Sequence, residues 1–251
     1  MRNTAPARRR EIVAPFAFAA APLPCFAPDH GMSELIQVQD MTQVHTTSLS
    51  TRQRAIVPIA AFAAEGNMAE LADALNQGLD AGLTVSEAKE VLVQVYAYAG
   101  FPRSLNALTE LMRIMEARKQ RGIADDPGRP PGRAIPKGEE LLAVGTANQT
   151  RLSGAPVQGP VFDFAPAIGE FLKTHLFGDI FERDNLDWQS REIATVAMLA
   201  VLPGTDAQLQ AHMRIGRNVG LTDDQLRQLA DVLSERVSDN AAQRAKEARD
   251  R

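Results

Sequence analysis

The chain has 251 residues, 45% of them hydrophobic and 23% charged, enough to bury a sizeable core as one large or two small domains. A net charge of -4 argues against a nucleic-acid partner, and no apolar run reaches the length of a membrane span. Cys25 is the single cysteine, which excludes an intramolecular disulfide, a thiolate zinc site and a CxxC redox pair; His30, His45, His175 and His212 lack close metal spacing, so no metal is expected.

Aromatic residues make up only 5%, while Ala and Leu recur near every 3.6 residues, so the class expected is all-α. Residues 1–48 begin with a basic stretch and an apolar run broken by Pro15, Pro22 and Pro24, then turn polar and Thr-rich. They are expected to be a disordered leader and arm; the broken apolar run fits a signal peptide poorly, which favours a cytoplasmic protein over an exported one. Residues 49–119 form a first helical unit. Ser50 with Gln53, Asn67 with Glu70 and Thr84 with Glu87 open three helices, and Pro102 opens a fourth after the Gly100–Phe101–Pro102 break. Ile56 and Ile59 lie on the inner face of the first, the second carries Leu71 and Leu75, the third Val91 and Leu92, and the fourth runs through Leu105, Leu108, Met112 and Met115.

Residues 120–160 are dense in Gly and Pro without a sustained period and are expected to be a linker, part of it lying along the surface or a neighbouring subunit. Residues 161–238 form a second unit. Its first helix is expected to run from Asp163 to Arg183 with Phe164, Ile168, Phe171 and Leu172 facing inward. A hairpin follows: Ile193, Val196, Ala197 and Ala200 repeat on one helix, Pro203–Gly204 stops it, and Thr205 with Gln208 is expected to cap the next. Thr222 with Gln225 caps a last helix, and residues 239–251 read as a polar tail, helical or frayed.

The hairpin contains a polar pair in an apolar seam. Glu192 lies eleven residues before Pro203 and His212 eight after Gly204, so at about 1.5 Å per residue both stand roughly 12–16 Å from the turn on antiparallel neighbours. Each residue alone has an ordinary structural explanation, a helix-dipole carboxylate or a satisfied core histidine. Comparison of the two units adds weight to the pair. Leu71 matches Leu209 and Gly82–Leu83–Thr84 matches Gly220–Leu221–Thr222 at an offset of 138, and Arg54 matches Arg191 at 137, so one helical hairpin occurs twice. Ala55 stands where the second copy has Glu192, and Ala74 where it has His212. An ionisable pair kept in one copy only must be justified against its desolvation.

The run HLFGDIFERDNLDWQSREIATVAMLA with QLQAHMRIGRNVGLT, and EVLVQVYAYAGFPRSLNAL in the first copy, resemble the carboxymuconolactone decarboxylase family within the alkylhydroperoxidase D-like superfamily. The resemblance implies two all-helical modules of that type joined by a Gly/Pro-rich linker. It also implies ring-like assembly, here as a trimer of two-copy chains. In the alkylhydroperoxidase D-like branch a Glu precedes a CxxC pair and a His follows; Glu192 and His212 fall on the Glu and the His, but Thr205 and Gln208 occupy the cysteine positions, so thiol peroxidase chemistry is not expected.

On this reading the second copy stops before any YAGFP-type segment, so a complete site would join Glu192 and His212 to Tyr98, Arg103 and Asn106 of the other copy or another subunit. The expected activity is a cofactor-independent lyase on a small carboxylated lactone or related unsaturated acid. His212 would be its general acid, tuned by Glu192, with Arg103 or Arg214 holding a carboxylate. A peroxidase-family relic without redox cysteines and a non-catalytic oligomeric scaffold are the alternatives.

Overall fold

The computed structural model describes residues 48–251. Helix takes up 73% of them, and no strand occurs among them. The leader and arm expected over residues 1–48 lie outside the described residues, Ser48 excepted, as does Cys25.

The first copy consists of α1 (Thr51–Glu65), α2 (Met68–Asp80), α3 (Val85–Gln94), a single turn α4 (Tyr96–Ala99) and the long α5 (Phe101–Gln120). Ser50 and Thr84 make reciprocal capping boxes with Gln53 and Glu87, while Asn67 accepts only from the Glu70 backbone amide. In the second copy α9 (Trp188–Val201), α10 (Asp206–Asn218), α11 (Asp223–Arg236) and α12 (Asp239–Arg249) follow the same order, so α12 occupies the place of α5 at the 138-residue offset. Residues 239–249 are therefore a packed helix. Ala241, Ala242, Ala245 and Ala248 lie buried in the core, which a hydropathy reading misses because alanine at every third or fourth position adds little to a charged stretch.

The two central helices are α1 and α9, whose mutual contact is the most extensive between any two elements, and α3 and α11 each touch both. Ten consecutive residues of α1, Ala55 to Ala64, and eleven of α9, Ser190 to Ala200, are buried. A one-sided apolar face was expected; burial on all sides follows from the many alanines, which let neighbouring helices approach on every side.

Three local expectations are revised. Thr205 does not cap α10: its backbone is at φ -111°, ψ 23°, and its hydroxyl instead lies 2.9 Å from the carbonyl oxygens of Leu199 and Leu202. The end of α9 needs that partner because Pro203 has no amide hydrogen, and Arg244 of α12 completes it by donating to the Ala200 and Leu202 carbonyls at 2.7 Å. The single helix expected over Asp163 to Arg183 is broken by Pro166 into α7 (Pro160–Phe164) and α8 (Pro166–Phe171), followed by a π-helical stretch Leu172–Ile180. Phe164, Ile168 and Phe171, on the two short helices, are exposed, and the wider stretch that follows them puts Leu176, Phe177 and Ile180, with Phe181 after it, in the core instead.

The third revision concerns the linker, which contains α6 (Glu139–Ser153) packed along the π-helix and against α10. That packing depends on Gly145, where an added Cβ would fall 1.8 Å from the Lys173 carbonyl oxygen. Gly145→Ala must push backbone away from backbone, so it is expected to destabilise the chain by about 1–3 kcal/mol in urea unfolding, the range of core overpacking, despite the better helix propensity of alanine.

Candidate active site

Glu192 sits one turn into α9, past the N-cap Asp187, whose carboxylate accepts from the Ser190 amide at 2.7 Å. The helix start is thus already satisfied, and Glu192 turns across the α9–α10 seam. Its Oε2 lies 2.7 Å from His212 Nδ1. Glu192 is fully buried; His212 keeps 8% of its surface, so its imidazole has an open edge. Glu192 Oε1 is buried without a hydrogen-bond partner. A carboxylate sealed from water with one oxygen unpaired is costly unless something else donates to it.

Tyr98, from α4 of the first copy, completes the cluster within the same chain. Its ring meets the His212 imidazole edge-on at 5.7 Å, and its hydroxyl lies 3.3 Å from Thr195 Oγ1. Burial, reinforced by the negative charge of Glu192, pushes the Tyr98 phenol well above its usual range, so it keeps its proton at neutral pH. Thr195 is held by Gln94, whose Nε2 donates to Thr195 Oγ1 at 2.8 Å and to the Arg191 carbonyl at 3.0 Å.

Behind this lies a second buried charge. Arg191 is fully enclosed, donating to Gln94 at 3.3 Å, to Glu90 at 3.1 Å and to the Arg183 carbonyl at 2.8 Å. Burial lowers its guanidinium below the usual range, with Glu90 opposing that effect. The sequence reading did not single out Gln94 or Thr195. The available signal was a Gln and a Thr inside otherwise apolar helical runs, where an unpaired polar group would be expensive.

The other expected site residues are not brought to the pair. Arg103 is partly buried against Gly66, where a Cβ would come within 2.2 Å of its Nη1, and its charge acts on Glu65. Asn106 and Arg214 are exposed, and neither hydrogen-bonds to Glu192, His212 or Tyr98. Among the described residues no three His, Cys, Asp or Glu side chains converge as a metal site would require.

The equivalent place in the first copy has lost the cluster. A cleft of about 240 Å³ is lined there by Ala55 and Ala74, with Arg54, Gln77, Glu235 and Arg236 around them. Arg236 stands at the 138-residue offset from Tyr98 and donates to Gln77. One site of the pseudo-symmetric pair therefore carries Tyr98, Glu192 and His212, and the other has Arg236, Ala55 and Ala74 in their places.

Fold and site together define an all-α protein built from two copies of one helical hairpin module, with a carboxylate–imidazole pair in the second. The chain belongs to the carboxymuconolactone decarboxylase family, whose model matches residues 39–111 and 166–250. The second match runs through α12, so the second copy is longer than residues 161–238 and has its own helix in the position of α5. Among curated proteins none matches the chain.

The pair also bears on stability. His212 is the only hydrogen-bond partner of Glu192 among the described residues, so His212→Ala leaves a buried carboxylate without one and is expected to cost about 3–5 kcal/mol. The double variant Glu192→Ala/His212→Ala removes the charge as well and is expected to recover most of that loss, because the first copy already packs alanine at both positions. A double-mutant cycle in urea checks this; additive losses would show that the two side chains are not coupled.

Proposed function

We propose that this chain is a lyase that decarboxylates a small carboxylated lactone or a related β,γ-unsaturated acid without a cofactor. The observation that carries the reading is the 2.7 Å contact between His212 Nδ1 and Glu192 Oε2, kept in one copy and replaced by alanine in the other. In this reading the carbon–carbon bond to the carboxylate breaks, carbon dioxide leaves, and its electron pair moves through the conjugated system onto the lactone carbonyl oxygen. The resulting dienolate needs a donor at oxygen and a proton at carbon. Tyr98 is the donor, since its raised affinity for its own proton keeps the O–H intact. His212, protonated and held through Nδ1 by Glu192, delivers the proton from Nε2. Family membership supports this reaction class, and the lack of any cysteine other than Cys25 tells against thiol-dependent peroxide reduction.

γ-Carboxymuconolactone is the test substrate, followed by the loss of its ultraviolet absorbance and by carbon dioxide release. His212→Gln, which can still hydrogen-bond to Glu192, is expected to lower turnover by about 10²–10⁴, and Tyr98→Phe by about 10²–10³, both with unfolding midpoints close to the parent. A His212→Gln protein with undiminished turnover ends the proposal. Hydroperoxide consumption with a dithiol reductant but no lactone turnover would favour the peroxidase-relic reading.

The proposal includes assembly of the chain with itself. Val161, Phe164, Ile168 and Phe171 form an exposed apolar stripe on α7 and α8, with Phe164 91% exposed, more apolar surface than a monomer ordinarily leaves in water. Light scattering is expected to report three chains per particle, and Phe164→Asp to dissociate them. A parent protein that stays monomeric at micromolar concentration removes this part of the proposal.

A further inference from the structure

The buried end of α3 holds an excess of positive charge. Glu90 accepts from Arg183 Nε and Nη2 at 2.7–3.0 Å, from Arg191 Nη2 at 3.1 Å and from Asn185 Nδ2 at 3.0 Å, so two guanidinium groups share one carboxylate. Burial opposes ionisation of Glu90, yet these donors hold its carboxyl below the usual range, and its charge is fully engaged. Asp187, the remaining acid acting on Arg191, is committed to the start of α9. Asp184 is neutralised by Arg129. Among the described residues Arg183 Nη1 makes no hydrogen bond, Lys89 is exposed without a partner, and Asn185 Oδ1 is buried without a donor.

Lys89, Arg183 and Asn185 all line one groove of about 790 Å³ between α3 and α5. That size lies within the ~300–1,000 Å³ typical of small-molecule sites. Glu90, already engaged by Arg183, Arg191 and Asn185, and Ser86 also line the end near Arg183; along α5 the wall is apolar, with Leu108 and Met112 facing the groove opposite Val93 and Met112 68% exposed. Its far wall is a strap, residues 126–131, that cannot swing freely. The Asp126 and Pro127 carbonyls accept from the first amides of α3 at 2.9 and 3.1 Å, and Ser86 Oγ donates to the Arg129 carbonyl at 2.6 Å. Gly128 is left-handed at φ 66°, where a Cβ would fall 2.5 Å from Thr84 Oγ1, and Pro127, Pro130 and Pro131 stiffen the strap on either side. The groove is thus preformed, apolar along its length and cationic at one end.

We propose that this groove binds an amphipathic organic monoanion, its carboxylate between Lys89 and the free Nη1 edge of Arg183 and its apolar body along α5. Charge complementarity selects this occupant: an uncharged lipid would leave the cations unpaired, and an organic cation would meet like charge. The site is separate from Glu192 and His212, neither of which lines it, and stands whether or not the lyase reading holds.

The test uses the full chain and binding alone. Sodium decanoate, 1-decanol and decyltrimethylammonium are titrated by calorimetry below their micelle concentrations. Decanoate is expected to bind saturably at one site per chain, decanol about tenfold or more weakly, and the ammonium compound not at all. Lys89→Glu is expected to weaken decanoate about tenfold or more with little change in melting temperature, because Lys89 is exposed and makes no hydrogen bond or ion pair among the described residues, and Lys89→Arg to retain binding. Met112→Asp is expected to abolish it. Equal affinity for decanoate and decanol, unchanged binding by Lys89→Glu, or uptake that never saturates would overturn the proposal. So would a parent chain that binds no decanoate while Met112→Asp reduces its oligomeric state, since a second copy would then occupy the groove.

Discussion

The buried polar groups around the candidate site are governed by the complete enclosure of α9. Packed on one side by α1 and on the others by α3, α4, α10, α11 and α12, this helix has no solvent face along Ser190 to Ala200. Arg191, Glu192 and Thr195 therefore have to find their partners in protein. An unpaired ionised group in such surroundings costs several kcal/mol, more than any single contact in the fold returns. Each polar residue of α9 accordingly recruits a partner from another element: His212 from α10, Gln94 and Glu90 from α3, Tyr98 from α4.

The partners come from both copies, which explains how duplication and asymmetry coexist. Packing two identical hairpins about a pseudo-twofold axis buries apolar faces that one hairpin would leave wet. The axis also relates two places where a carboxylate and an imidazole could meet. In one of them Ala55 and Ala74 line a cleft beside Arg236, and in the other Glu192 and His212 meet beside Tyr98. With Tyr98 contributed by the first copy, the second copy needs no tyrosine segment of its own, and its residues after Arg236 are free to be the alanine-rich α12.

Two polar centres result, joined by a continuous set of hydrogen bonds. From Tyr98 it passes through Thr195 and Gln94 to Arg191 and on to Glu90 and Arg183 at the groove. Such a network is rigid because every break exposes a buried group, and it holds the Tyr98 hydroxyl against Thr195.

Composition, periodicity and the matches at a fixed offset determined the all-α class, the two copies and the helix starts at Ser50, Thr84 and Thr222, and put Glu192 and His212 at similar distances from one turn, where they could meet; that they do meet is seen in the packed hairpin. Family membership was likewise readable from the residues around His212 and Tyr98. Phe164, Ile168 and Phe171 stand outward on the two short helices that meet at Pro166, and the π-helical widening over Leu172–Ile180 then shifts the phase of the following residues, burying Leu176, Phe177 and Ile180 in a way no 3.6-residue count contains. The helix inside the Gly/Pro-rich linker was decided by a neighbour too, since Gly145 matters only against the Lys173 carbonyl. Thr205 looked like a cap and became a partner for the preceding helix, whose last carbonyls had no other donor nearby than Arg244. Tyr98 joined the pair while Arg103 and Asn106 did not, because α5 turns away after Gly100 and lays Arg103 against Gly66. Contacts between residues about a hundred positions apart, such as Gln94 with Thr195 and Glu90 with Arg191, exist only once α3 lies across α9, and that juxtaposition is a property of the packed helices rather than of either segment.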